Sequence, residues 1–414
     1  MSTPLKRTVG LPGAVLLGLG SIVGTGVFVS LALAAGTTGP SFVLALCVAG
    51  LLAALNGVSS AQLAAAHPVS GGTYEYGYRT TGPLTGFTAG WMFLSAKSAS
   101  AATAALGLAG YTVRLAGLEA GWRVPLAFVA VWAVTGLVLA GLKRSNTVNA
   151  ALVGLTFAVL LAFVVRGVPA VRAESFEPFF TNGPLGFLEA CALLFVAFTG
   201  YGRIATLGEE VTEPARTIPR AIGLTLIVVV ALYVAVGATA VGIAGADGFA
   251  EGARAAAPLE AIAQQVGGTG WAAMITVGAV SAMAGVLLNL VLGLSRVLLA
   301  MARRSDMPAV FARIDASGTT PGPAVLGIGA LISALTLLGD VHTTWSFSAF
   351  TVLVYYALTN LCAIRLEERR FSALWSWAGL VGCLGLAFWV DSSAWLAGLA
   401  LLAVGHGVRA LARR

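Results

Sequence analysis

Lys97 is the side chain in this sequence best placed to do chemistry. It sits in Trp91-Met92-Phe93-Leu94-Ser95-Ala96-Lys97-Ser98-Ala99-Ser100, mid-way through an apolar stretch drawn as 84–110. Either end of that stretch is roughly 20 Å of helix away at about 1.5 Å per residue, so the stem cannot readily snorkel to an interface. A charge at such depth costs several kcal/mol and normally faces the interior of a helix bundle. Buried amines can exchange a proton in the physiological range. Lys97 is therefore a candidate either for carrying a coupling proton or for serving as a fixed cation in place of a sodium ion. A purely structural Lys tied to backbone carbonyls is the alternative.

The second kind of chemistry belongs to the backbone. Gly18, Gly20, Gly24 and Gly26 crowd one short apolar segment, Gly18-Leu19-Gly20-Ser21-Ile22-Val23-Gly24-Thr25-Gly26-Val27-Phe28. Each Gly weakens a helix by roughly 1 kcal/mol relative to Ala, so the cluster invites an unwound midpoint. Lipid offers no partners for opened backbone. A polar solute does, and the N–H groups that start a half-helix favour a carboxylate. A close-packing face of small residues is the competing reading. A counterpart lies at Phe195-Val196-Ala197-Phe198-Thr199-Gly200-Tyr201-Gly202-Arg203, where freed carbonyls suit an ammonium group. The candidate binding residues are Ser21, Ile22, Gly24, Thr25, Gly26, Phe198, Thr199, Gly200 and Tyr201.

These groups must be held by membrane-spanning helices. The 414 residues are 58% hydrophobic and 10% charged, against roughly 25% charged in soluble domains. Lipid is the solvent for most of such a surface. Runs of about 20 apolar residues fall at 11–35, 40–66, 84–115, 124–142, 147–166, 186–207, 219–245, 271–302, 322–339, 344–364, 373–390 and 394–411. That is an all-α membrane protein of twelve spans. Five spans separate the two glycine breaks, the spacing of a five-plus-five inverted repeat. Residues 11–166 form the first repeat, 186–364 the second and 373–411 two additional helices, after a short N-terminal segment, 1–10.

Charge fixes the expected orientation. With the N-terminus in the cytoplasm, 18 Lys and Arg fall on that side; Arg114, Arg123, Arg166, Arg172 and Arg254 face the other, and Lys97 lies within a span. The positive-inside rule then puts both termini in the cytoplasm of a multi-pass cell-membrane protein. The net charge of +7 sits in short inter-span loops and reads as topology, not as a nucleic-acid surface. Cys47, Cys191, Cys362 and Cys383 each lie in apolar runs without metal-ligand spacing, and His67, His342 and His406 sit near span ends. No cofactor or metal is implied. The loop Gly208-Glu209-Glu210-Val211-Thr212-Glu213-Pro214-Ala215-Arg216-Thr217-Ile218-Pro219-Arg220 reads as solvated, with a helix started by proline behind it; no nucleophile or ligand set accompanies its carboxylates. A channel would require polar rings or a filter, and an enzyme would require converging ionisable residues within spans.

The chain resembles amino acid permeases of the amino acid–polyamine–organocation superfamily along nearly its whole length. Gly20 to Phe28 is similar to that family's G-S-x-I-G-x-G-I-F signature, and Pro68-Val69-Ser70-Gly71-Gly72-Thr73-Tyr74-Glu75-Tyr76 to its P-x-S-G-G-x-Y-x-Y loop. Phe198-Thr199-Gly200-Tyr201, then Glu209-Glu210-Val211 and Pro214 to Arg220, resemble its sixth-span break and E-E-V-x-x-P-x-R-x-I-P-R tail; Ser295 to Arg303, Met307-Pro308 and Phe311 resemble the end of its eighth span. The resemblance implies alternating-access transport of an amino acid or small amine, with a proton as a candidate partner. It also implies a carboxylate on the amides around Gly24 to Gly26 and an amine on carbonyls around Phe198 to Gly200. Two departures stand out. Relatives often carry Glu where this chain has Gly202, and some proton-coupled relatives place a Lys where Thr156 falls. Lys97 becomes the substitute. With no acidic side chain in either break, the substrate side chain should be small to medium and apolar.

Overall fold

The computed structural model describes residues 9–67, 71–141, 146–205, 211–314 and 320–412. Its helices are α1 (Leu11–Ile22), α2 (Leu31–Thr38), α3 (Phe42–Ala66), α4 (Thr73–Thr80), α5 (Pro83–Leu115), α6 (Arg123–Leu139), α7 (Asn146–Gly167), α8 (Gly183–Phe198), α9 (Gly202–Ala205), α10 (Pro214–Arg254), α11 (Pro258–Arg303), α12 (Gly322–Thr336), α13 (Val341–Ile364), α14 (Ala373–Ala387) and α15 (Ser392–Ala412). The described residues form no sheet; a lone bridge joins Val9 to Val211. Eight helical stretches among them are long and apolar enough to cross a membrane, with α12 and α14 as shorter apolar helices. Residues 68–70 and 206–210, which carry parts of two motifs and both paired carboxylates of the 208–220 loop, lie outside the described residues.

Two boundaries differ from expectation. The helix predicted from 219 starts at Pro214, with Pro219 inside its first turns, because Glu213 takes a left-handed conformation (φ 46°) and Pro suits a helix start. The spans predicted at 219–245 and 271–302 are parts of longer helical stretches that bend at Gly245 (φ 72°) and Gly268 (φ 70°). The helical segments between these bends carry Asp247, Glu251 and Glu260, and their polarity hides them from a hydropathy reading. Cys47 is exposed, unlike the other three cysteines.

The core gathers around α5, which packs most extensively on α13 and α11, while α3 packs on α10. A hydroxyl seam fastens α5 to α13. The Ser100 and Ser348 hydroxyls lie 2.8 Å apart, Ser348 Oγ donates to Ala96 O at 2.9 Å and Thr103 Oγ1 to Thr344 Oγ1 at 2.8 Å. Such bonds between membrane helices are worth about 0.6 kcal/mol each, so the seam sets register more than it adds stability. Leu51, Val165, Ile227 and Leu374 point outward, as apolar surface can in lipid.

Candidate functional site

The first apolar segment is broken. α1 ends at Val23, whose backbone is extended (φ −79°, ψ 107°) and whose N–H closes the last bond of α1, to Leu19 O. The chain resumes as a wide π-helical turn, Gly26–Ser30, leading into α2. The first N–H across the break to find a backbone acceptor is that of Phe28, on Gly24 O at 3.1 Å. The amides just before it, from Gly24 onward, are the unsatisfied donors of a helix start. Thr25 lies among them, 4% exposed, and its Oγ1 has no hydrogen-bond partner among the described residues. A buried hydroxyl left without a partner costs about 1–3 kcal/mol.

The second segment is broken at the expected place. α8 ends at Phe198, a 3-10 turn covers Thr199–Tyr201, and α9 follows. The two breaks touch: a Cβ on Gly200 would run into the Ser21 carbonyl and meet Ile22 Cγ1 at 2.7 Å. A Cβ on Gly26 would come within 2.7 Å of the Tyr233 hydroxyl and 2.9 Å of the Ala197 side chain. Glycine at 26 and 200 is thus a condition for the breaks to approach.

The other predicted residues divide. Ser21 Oγ turns back to Leu17 O (2.8 Å), while the Ile22 carbonyl accepts from Tyr233. A Cβ on Gly24 would meet Val286 of α11 at 2.6 Å. Phe198 packs on Tyr233 with ring centroids 5.5 Å apart, and Tyr201 on Tyr356 at 5.4 Å. Lys97 is buried and donates from Nζ to Thr199 Oγ1 at 2.6 Å. Thr199 Oγ1 in turn donates to Val196 O.

Three tyrosines went unpredicted. Tyr233 of α10 donates to Ile22 O at 3.0 Å, and its hydroxyl stands 3.5 Å from Ala197 O, so it clasps both breaks. Tyr356 of α13 donates to Thr199 O at 3.1 Å, and Tyr111 of α5 to Phe28 O at 2.9 Å. They supply the donors that carbonyls of broken helices require in lipid. Their only sequence signal is a phenol inside an aliphatic helix. Among the described residues no group of three or more His, Cys, Asp or Glu could hold a metal.

Polar contacts fasten the helices at both ends of the bundle. At one end Thr212 N–H bonds Val9 O (2.9 Å), and Arg409 Nε meets buried Asp306 at 2.9 Å, with Tyr74 and Tyr78 also donating to Asp306. At the other, Arg114 pairs with buried Glu260, and Leu259 N–H reaches Tyr111 OH at 3.3 Å. An apolar groove of about 650 Å³ lies elsewhere, between α3 and α10, lined by Gly50, Ala54, Gly57, Ile222 and Leu226 among others.

A family model described as "Amino acid permease" matches residues 13–403, which contain both breaks and Lys97. The chain belongs to the amino acid permease family. It is 41% identical to an uncharacterized transporter of Mycobacterium tuberculosis, over 99% of this chain and 93% of the relative. A branched-chain amino acid permease of Bacillus subtilis is 31% identical over 88% of this chain and 82% of that one. A vacuolar cationic amino acid transporter of Arabidopsis thaliana is 28% identical over 88% of this chain and 60% of its own length. The apolar helices of this permease suit a multi-pass membrane protein, and the named relatives are described as transporters or permeases.

Proposed function

We propose that this permease is a secondary transporter that carries a neutral amino acid across the cell membrane by alternating access. The substrate carboxylate is taken by the amides from Gly24 to Gly26 and by the Thr25 hydroxyl. The amine meets the second break at Phe198 to Gly200, and Ser21, Ile22 and Tyr201 complete the lining. The observation that carries this reading is the pair of touching helix breaks, with Thr25 of the first break buried and its Oγ1 without a hydrogen-bond partner among the described residues. Thr199 O is already bonded to Tyr356, so the amine uses the acceptors that remain in that turn. A medium apolar side chain agrees with the aromatic surroundings, Phe195, Phe198, Tyr233 and Tyr356, all buried, and with the branched-chain relative. The helices form a ten-span inverted repeat with two further spans, and both termini face the cytoplasm. Lys97 carries the coupling proton or stands as the fixed cation of the site.

Counterflow in proteoliposomes tests the reading. Liposomes preloaded with leucine, valine or isoleucine should accelerate entry of labelled leucine, saturably. Entry that rises linearly with concentration and ignores the preload would indicate a channel and end the carrier reading. A cationic-amine carrier of the same fold is the second possibility, in keeping with the Arabidopsis relative; preloaded lysine or putrescine should then replace leucine.

A further inference from the structure

Four charged side chains are buried among the described residues: Lys97, Glu260, Asp306 and Arg409. Glu260 is matched by Arg114, and Asp306 by Arg409. Among the described residues Lys97 has no carboxylate within ion-pair distance; its partner is the neutral hydroxyl of Thr199, at 2.6 Å. Thr199 carries no countercharge, and the carbonyl of the same residue accepts from the neutral phenol of Tyr356. A lone buried cation raises the electrostatic potential of everything near it, because little water is there to screen it.

We propose that Lys97 is the charge filter of the substrate site: it rejects amino acids and amines that carry a cationic side chain. This rests on the reading of the two breaks as that site. The α-ammonium of a zwitterion is offset by the substrate's own carboxylate, so the site gains no net charge, whereas a side-chain ammonium or guanidinium adds an uncompensated positive charge to the same desolvated space as Lys97. Two unit charges about 6 Å apart at an effective dielectric of about 20 repel by roughly 100-fold in affinity. The filter is thus a single residue of α5, placed by its bond to the first residue of the second break.

The test is counterflow of labelled leucine into proteoliposomes, which needs no driving ion, with the full-length chain and the variants Lys97→Met and Lys97→Arg. Unlabelled valine, lysine, arginine and putrescine are the competitors. Wild type should be inhibited by valine and resist the cationic compounds. Lys97→Met should lower the inhibitory concentration of lysine and arginine 10- to 100-fold, within the range expected for removing one nearby charge. Lys97→Arg, which cannot lose its proton, should keep the resistance. If Lys97→Met does not turn over, thermal stabilisation of the purified variant by leucine and by lysine gives the same comparison. Wild type inhibited equally by lysine and valine would overturn the proposal, and so would Lys97→Met with unchanged discrimination. If leucine and valine show neither transport nor stabilisation in wild type, the transport reading falls first and this inference with it.

Discussion

At the scale of single residues, the polar groups at the breaks divide into those with partners and those that have none among the described residues. Thr25 Oγ1 bonds no described residue of the protein. Thr25→Val should therefore leave thermal stability unchanged or slightly raised. If the hydroxyl grips substrate, the same change should weaken binding about 10-fold, the worth of one hydrogen bond of about 1.4 kcal/mol. Titration of leucine against tryptophan fluorescence or melting temperature checks both. Tyr356 is the opposite case. Its hydroxyl satisfies Thr199 O, and Tyr356→Phe should cost about 1–3 kcal/mol because a buried carbonyl loses its donor, read as a lower melting temperature without ligand. Glycines at the breaks and Lys97 were legible in the sequence because each violates the chemistry of a lipid-embedded helix. Tyr233, Tyr356 and Tyr111 were not, since a Tyr in an apolar helix is commonplace until its carbonyl partner on another helix is known.

At the scale of elements, the broken helices depend on close approach. Gly200→Ala would drive a methyl group into the Ser21 carbonyl, which is backbone and cannot rotate away. The variant should fold with its helices intact by circular dichroism but lose counterflow altogether, whereas Gly223→Ala in α10, where a Cβ meets open space, should retain it. The ends of the elements are fixed by charge. Asp306, three residues past the end of α11, ties α4 to α15 by accepting from Tyr74, Tyr78 and Arg409. Asp306→Ala strands the buried Arg409 and should cost about 3–5 kcal/mol, visible as early melting. Asp340 caps α13 through Thr343 N–H at 2.7 Å. Burial pushes its carboxyl up, but the hydrogen bonds from Thr343 outweigh that and hold it below the ordinary value. The cap is therefore complete above about pH 4 and fades as pH falls through the lowered value, so Asp340→Ala should cost about 1 kcal/mol at pH 7 and less under acid.

At the scale of the molecule, lipid and charge do most of the specifying. The scarcity of charge dictates a membrane protein. The 18-to-5 distribution of Lys and Arg predicts that reporter domains fused to either terminus will be active only in the cytoplasm; a periplasmically active C-terminal alkaline phosphatase fusion would reverse that assignment. What the sequence by itself determined was the local physics: which stretches lipid would accept as helix, where clustered glycine would break two of them, and that one Lys had no route to water. What only the tertiary structure decided was partnership. It brought Gly200 of one break onto Ser21 of the other, set Lys97 on Thr199 with no described carboxylate within ion-pair distance, and supplied tyrosines from three other helices to the opened carbonyls. Those outcomes depend on how helices far apart in the chain pack together. A single chain's spacing and composition record what each helix needs, but not which neighbour will provide it.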